Sequence, residues 1–260
     1  MTDRTRQAQA AYRNQDHDAI KLVHQPETIA ASLEEQHSSS SLSDIILGGQ
    51  DGLVNVLGVI LGVAAASGDP RIIQAAGLAA AFAESVSMGA VAYTSTRADI
   101  EHYESELKRE AWEIAHNPLG EKEEIRQIYI KRGFTGELLN QVVDKIASDK
   151  KVWLEVMMAD ELKLAPVAKN QAIKSAFVVG ISAIIGSLVP LFPFFLFSLH
   201  TSIILSLTIS ALTLFLVGVY KARVTVGSWY RSGIELTIIG IVSALVGYLI
   251  GSLFKAPVVP

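Results

Sequence analysis

Pairs of carboxylates recur in the charged central part of the chain at a spacing that suits a cation site. Glu110 and Glu113 form one pair, and Glu121 and Glu124 form a second pair after an Asn-Pro-Leu-Gly turn. Residues three apart are neighbours on one face of a helix, so each pair destabilises its helix by roughly 0.2–0.5 kcal/mol through like-charge repulsion. A bound divalent cation would offset this repulsion, because carboxylate oxygens are hard ligands for Mg, Mn and Fe.

Met157 and Glu161, which are four residues apart, extend this set by a thioether and a fifth carboxylate. A thioether is a soft ligand, which favours a transition metal over Mg or Ca. The alternative interpretation is a solvated acidic face whose charges are balanced by basic neighbours. Those neighbours would be Lys108, Arg109, Lys122 and Arg126. The spacing leaves both interpretations open.

Further acids stand in apolar surroundings, where an ionised side chain is costly and is by default a functional candidate. Asp51 lies in the first long apolar stretch, seven residues after Asp44, so the two share one helix face. Glu84 lies near the middle of the second stretch, and Met88 follows one helical turn later. Gly and Ala dominate both stretches and allow close helix packing. This combination suits a cation path, and the alternative is a structural, hydrogen-bonded carboxyl group.

The elements that must position these residues are long apolar helices. Five apolar stretches reach the length of about 20 residues that a helix needs to span a bilayer. They run from about 45 to 66, 72 to 95, 172 to 190, 201 to 220 and 234 to 254. The mean hydropathy is +0.35, and the chain lacks the polar residues needed to enclose five such helices in a soluble protein. We expect an all-α membrane protein with five transmembrane helices in the lipid bilayer.

Charged residues concentrate in one internal segment. Residues 99–163 hold 15 of the 26 acidic residues and 10 of the 22 basic residues. No Gly or Pro interrupts the sequence from Tyr93 to His116, which predicts that the second span continues as a helix to His116. Three shorter helices should follow. The first runs from about Glu121 to Arg132, the second begins near Thr135, and the third begins after a cap at Ser148 and Asp149. We therefore expect a helical domain inserted between the second and third spans.

Composition excludes several classes of protein. The formal net charge of −4 argues against a basic nucleic-acid binder, so we expect no nucleic-acid partner. The chain has no Cys, which excludes disulfides, Cys zinc sites and thiol catalysis.

The expected organisation has five parts. A polar N-terminal tail, expected to be mobile, covers residues 1–43, and the first two transmembrane helices cover residues 44–98. The helical metal-binding domain covers residues 99–165, the last three transmembrane helices cover residues 166–255, and a short tail covers residues 256–260. Lys and Arg near a membrane favour its cytosolic side. With five spans, the distribution of basic residues predicts a cytosolic N-terminus and charged domain, with the C-terminus on the opposite side.

Several motifs resemble the vacuolar iron transporter family. The segment 43–53, SDIILGGQDGL, resembles the first span of that family, and Ser87-Met88-Gly89 resembles part of its second span. Residues 101–103, 106–110 and 153–162 are similar to parts of its cytosolic insertion. The resemblance covers roughly residues 43–255 in the same order.

This resemblance implies a homodimer that moves Fe(II) out of the cytosol in exchange for protons. Mn(II) and Zn(II) are further candidate substrates. It also implies a path lined by Asp51 and Met88, with Asp44 toward the cytosolic mouth. Family members often have an acid two turns before the Met, where this chain has Ala80, and Glu84 is the candidate substitute one turn later. The metal-gathering residues implied are Glu110, Glu113, Glu121, Glu124, Met157 and Glu161.

Two alternatives come from other classes of protein. Glu113 with His116 and Glu34 with His37 are Glu-x-x-His pairs, which also occur in ferritin-like di-iron sites. A membrane-bound di-iron enzyme would use both pairs, but the second pair lies in a polar tail and His116 adjoins a helix stop. A metal-sensing scaffold would bind metal without moving it. We expect a transporter and not an enzyme.

Overall fold

The computed structural model describes residues 3–26, 28, 41–225 and 227–254, and every regular element among them is helical. The helices are α1 (Asp3–Asn14), α2 (His17–Val23), α3 (Ser41–Ser67), α4 (Pro70–His116), α5 (Pro118–Lys131), α6 (Gly136–Ala147), α7 (Lys150–Val156), α8 (Gln171–Leu191), α9 (Pro193–Leu196), α10 (Leu199–Thr225) and α11 (Trp229–Leu253). A π-helical segment, Met157–Glu161, follows α7 directly. Glu34, His37 and residues 256–260 lie outside the described residues.

Five of these helices are long and apolar enough to cross a membrane: α3, α4, α8, α10 and α11. The prediction of an all-α membrane protein with five spanning helices is therefore confirmed. Helix α4 is the longest, with 47 residues. At a rise of about 1.5 Å per residue it is about 70 Å long, more than twice the roughly 30 Å hydrocarbon core of a bilayer. As predicted, it continues from the apolar stretch to His116 without a break.

The chain divides into two compact units. The first comprises residues 1–90 and 175–260 and is called the membrane unit below, because it contains the apolar helices. The second comprises residues 91–174 and is called the charged unit. Helices α1 and α2, which lie in the sequence expected to be a polar tail, belong to the membrane unit.

Close helix packing in the membrane unit depends on glycine. Helices α3 and α11 approach so closely that a Cβ atom on Gly247 would overlap the carbonyl oxygen of Gly58. The same relation holds one turn further along, between Gly251 and Gly62. Small residues permit such backbone contact between membrane helices, where dispersion forces and hydrogen bonds stabilise the packing. The buried core beside this contact consists of Val56, Leu57, Ile60, Leu61, Ala64, Ile73, Ala81, Leu191, Phe194 and Ala244.

The charged unit has its own small apolar core, and polar caps set its helix boundaries. The Asn117 side chain accepts a hydrogen bond from the Gly120 amide at 3.3 Å, which fixes the start of α5. Asp149 caps α7 by accepting a bond from the Lys151 amide at 2.9 Å. The core residues are Ile114, Ile125, Leu139, Val143, Ile146, Trp153 and Met157.

The end of the last helix in the charged unit differs from the sequence prediction. The spacing of Met157 and Glu161 was expected to place them one turn apart on a regular helix. Instead, the Leu162 amide donates to the Met157 carbonyl oxygen at 3.1 Å, five residues back. This wider π-type turn changes the direction of the residues that follow, and such turns are frequent at functional sites.

Candidate functional site

Three glutamates of the charged unit come together where α4 ends and α5 begins. Glu110, Glu113 and Glu121 each place one carboxylate oxygen within 4.8 Å of the others. Glu110 is only 1% exposed and Glu121 only 4%, so these two carboxyl groups are removed from solvent, whereas Glu124 and Glu161 are exposed. The turn capped by Asn117 brings the two helices together and thereby joins the two carboxylate pairs of the sequence.

Arg109 supplies positive charge at the edge of this cluster. Its guanidinium lies 2.6 Å from a carboxylate oxygen of Glu110 and 2.6 Å from one of Glu113. It also contacts Glu106 at 2.9 Å. Arg109 therefore relieves part of the like-charge repulsion, as the alternative interpretation of the sequence proposed for it.

The other basic neighbours that were considered point to different partners. Lys122 pairs with Asp144. Arg126 pairs with Glu123 at 3.3 Å and donates to the Asn140 side chain at 2.7 Å. These contacts of Lys122 and Arg126 are with groups outside the glutamate cluster.

Two oxygens of the cluster have no hydrogen-bond donor among the described residues. They are Oε2 of Glu110 and Oε2 of Glu121, and both atoms are buried. A buried carboxylate oxygen without a partner costs free energy, and native structures normally satisfy such groups. An all-oxygen, net negative donor set of this kind fits a divalent cation of hard or borderline character.

Two acids of the charged unit, Glu121 and Glu161, have a raised pKa. Desolvation, reinforced by the charges of Glu124 and Glu110, raises the pKa of Glu121 to about 7. The same causes, in the same order, raise the pKa of Glu161 to about 7. Glu161 also lies within hydrogen-bonding reach of Glu124. The structure thus links Glu124 and Glu161 to the electrostatics of the other three glutamates.

Three residues of the charged unit take positions that the sequence did not indicate. Met157 is fully buried in the apolar core of the charged unit, together with Ile125 and Trp153. Asp160, in the same π-helical segment, pairs with Arg132 at the end of α5. His116 stacks on Trp112, and within the described residues it is not part of the clustered ligand group.

The membrane unit brings two of its predicted acids together. Glu84 is 9% exposed, and its Oε2 accepts a hydrogen bond from Nδ2 of Asn55 at 2.6 Å. Its carboxyl group also lies close enough to that of Asp51 for the two groups to interact. Asp51 is exposed on the isolated chain. The carboxyl groups predicted for the first two spans are therefore neighbours.

The other two residues of the predicted path have separate surroundings. Asp44 is half-buried and accepts a hydrogen bond from the Ser175 hydroxyl at 2.6 Å. Met88 is half-buried on α4, one turn beyond Glu84. Sequence reasoning missed Asn55 and Ser175. The position of Asn55 four residues after Asp51, hence on the same helix face, was the signal that could have found it.

These features define a class of protein: an integral membrane protein of five spanning helices with paired carboxyl groups inside its membrane unit and a carboxylate cluster in a second helical unit. A model of the VIT family matches residues 42–252, which is most of the chain. The chain therefore belongs to the VIT family.

Curated relatives agree with this assignment. The chain is 31% identical over 225 residues to "Vacuolar iron transporter 1" of Tulipa gesneriana, covering 85% of this chain and 91% of the relative. It is 32% identical over 217 residues to the protein of the same name from Oryza sativa subsp. japonica, covering 82% and 86%. A "Vacuolar iron transporter" of Plasmodium falciparum is 29% identical over 267 residues, covering 98% of both chains.

Proposed function

We propose that this protein is a divalent transition-metal transporter that moves Fe(II) out of the cytosol in exchange for protons. The observation that carries this proposal is the buried Glu84 carboxyl group paired with Asp51 in the membrane unit of a VIT-family chain. The names of the relatives support iron as the substrate. Mn(II) and Zn(II) are further candidate substrates, because similar oxygen and thioether ligands bind them.

The membrane path would use Asp44, Asp51, Glu84 and Met88. Two adjacent carboxyl groups readily share one proton, and a cation that binds the pair displaces it. Such a displacement gives a direct basis for metal and proton exchange at Asp51 and Glu84. The Met88 thioether would favour Fe(II) over Mg, since a soft ligand binds Mg poorly.

The charged unit would collect metal for this path. Its cluster combines a net negative charge with two buried oxygens that lack donors among the described residues. Glu110, Glu113, Glu121, Glu124 and Glu161 would provide oxygen ligands, and Met157 a sulfur ligand after a local rearrangement of the core. Attraction of cations to the cluster raises their local concentration.

We further propose a membrane orientation and an oligomeric state. The N-terminus and the charged unit would face the cytosol, with the C-terminus on the opposite side, because basic residues flank the cytosolic ends of the spans. The protein would act as a homodimer in which each protomer contributes Asp51. The exposure of Asp51 on the isolated chain supports this arrangement.

Metal flux into proteoliposomes tests the proposed function. The wild-type chain should move Fe(II) with a coupled pH change in the vesicle lumen. Asp51→Asn should abolish most of the flux, and Glu235→Gln, which changes an exposed acid on α11, should leave it unchanged. Equal flux in Asp51→Asn and wild type would overturn the path.

The same preparation separates the two other classes of protein. A metal-sensing scaffold would bind Fe(II) without flux. A di-iron enzyme would consume oxygen while oxidising Fe(II), again without flux. Flux without oxygen consumption therefore supports the transporter against both.

A further inference from the structure

Asn55 connects two membrane helices through the carboxyl group of Glu84. Its Nδ2 donates to Oε2 of Glu84 at 2.6 Å, from α3 to α4. We propose that Asn55 is a positioning residue for metal transport, which holds Glu84 so that its carboxyl group meets Asp51. This inference rests on the proposed function, because it assigns a role within the same membrane path.

The placement of the three residues favours this role. Asp51 and Asn55 lie one turn apart on α3, and both are exposed on the isolated chain, so they share one face. Glu84 is the only acid in the sequence between Pro70 and Arg97. Its nine-tenths burial leaves it dependent on the few polar groups that reach it.

The chemistry of an amide suits this position. A glutamate side chain has several rotatable bonds, so its carboxyl group takes a defined orientation only when a donor fixes it. The Asn55 amide donates without carrying charge, and it therefore leaves the negative charge of the pair available to a cation. A Lys or Arg donor would neutralise that charge, while an aliphatic residue would leave the Glu84 oxygen without its bond.

The competing explanation is that the hydrogen bond between Asn55 and Glu84 only holds α3 and α4 together. The chain offers a matched control for this explanation. The Ser243 hydroxyl on α11 donates to the Val54 carbonyl oxygen at 3.2 Å. This bond also ties a neighbouring helix to α3, next to Asn55 in sequence. Ser243→Ala thus removes a comparable helix-to-helix bond without touching either carboxyl group.

Fe(II) flux in proteoliposomes containing the full chain provides the first test. Asn55→Ala should raise the Fe(II) concentration for half-maximal flux about tenfold, since hydrogen bonds to charged groups are among the stronger ones. Asn55→Gln keeps the donor and should recover part of the loss, and Ser243→Ala should match wild type. In a Glu84→Gln background, Asn55→Ala should have no further effect, because it acts through Glu84.

Infrared spectroscopy of the same samples provides a second readout that does not depend on transport. The difference between wild type and Glu84→Gln isolates the carboxyl bands of Glu84. Asn55→Ala should shift these bands, and Ser243→Ala should leave them in place. Unshifted bands would overturn the positioning role, even if Asn55→Ala folds poorly and transports little.

The outcomes distinguish this role from the proposed function. A wild-type chain that moves no Fe(II) would overturn the proposed function and, with it, the role of Asn55 in transport. A chain that transports, but in which Asn55→Ala and Glu84→Gln have additive effects, would overturn only the role of Asn55. An equal loss of Fe(II) flux in Asn55→Ala and Ser243→Ala would also overturn only the role of Asn55.

Discussion

The carboxyl groups of Glu124 and Glu161 lie within hydrogen-bonding reach of each other, although Glu124 lies on α5 and Glu161 lies in the π-helical segment after α7. A hydrogen bond between them would need one proton. Desolvation, together with the charges of Glu124 and Glu110, raises the pKa of Glu161 to about 7, and the pKa of Glu121 is also raised to about 7. The cluster is therefore partly protonated at neutral pH.

Metal binding to the charged unit should consequently depend on pH. A cation has to displace protons from Glu121 and Glu161, whose pKa values are about 7. Metal affinity should therefore rise with pH and level off above pH 7. Below pH 7 the affinity should fall by about tenfold per pH unit for each proton displaced. Calorimetry with Mn(II) and the full chain in detergent measures this, and an affinity that is constant from pH 5.5 to 8 would contradict it.

The stability of the metal-free protein should show the opposite trend. Folding raises the pKa of Glu121 and Glu161 from 4.5 to about 7, so the folded state holds these protons more tightly than the unfolded state. Their contribution to stability is present below pH 4.5 and is lost as pH rises through 7. Thermal unfolding with a chelator should give a lower melting temperature at pH 8 than at pH 5.5. Glu121→Gln should weaken this dependence.

Neutralising a single buried glutamate should separate binding from folding. Glu121→Gln removes one charge and a carboxylate oxygen that lacks a donor among the described residues. We expect metal affinity to fall by about tenfold or more, because affinity follows the number of charged ligands. The stability of the metal-free protein should rise at pH 8. Glu123→Gln on the same helix, which is exposed and paired with Arg126, is the control and should change neither quantity appreciably.

The pairing of Arg132 with Asp160 should matter for the site even though neither residue was predicted to bind metal. Arg132, the first residue after α5, also lies over the ring of Tyr129 on that helix at 5.2 Å. This pair ties the π-helical segment, and hence Glu161, to the helix that carries Glu121 and Glu124. Arg132→Leu should lower metal affinity by up to about fivefold, because a partly exposed ion pair contributes at most about 1 kcal/mol. Lys131→Leu should bind like wild type, and an equal loss in both variants would contradict this role.

Much of the fold followed from composition and spacing. The five apolar stretches predicted the five spanning helices, and the lack of Gly or Pro from Tyr93 to His116 predicted the uninterrupted α4. The Asn117-Pro118 sequence predicted the end of α4, but α5 begins at Pro118 and not near Glu121 as predicted, because Asn117 caps the helix and Pro fits its first turn. These features depend on local sequence, which explains why they could be found without a structure.

The details of the site depend on packing, which local sequence does not contain. Spacing grouped Glu110 with Glu113 but gave no reason for the burial of Glu110, which arises only when α4 and α5 meet. The π-type turn at Met157 could not be predicted either, because it follows from how the segment packs on the core. The contact of Asn55 with Glu84 joins two helices, and only the register between them reveals it.

Helix packing in the membrane unit yields a last prediction. A side chain on Gly247 would overlap the carbonyl oxygen of Gly58, and backbone on a packed helix cannot move aside without cost. Gly247→Val should therefore separate α3 from α11 and destabilise the protein by roughly 1–3 kcal/mol, as overpacking typically does. Gly49→Ala is the control, because its Cβ would meet the Ser182 carbonyl oxygen at an ordinary 3.6 Å. Thermal unfolding in detergent should show a clear drop in melting temperature for Gly247→Val and only a small change for Gly49→Ala. Equal changes in the two variants would mean that the close approach of α3 and α11 does not limit stability.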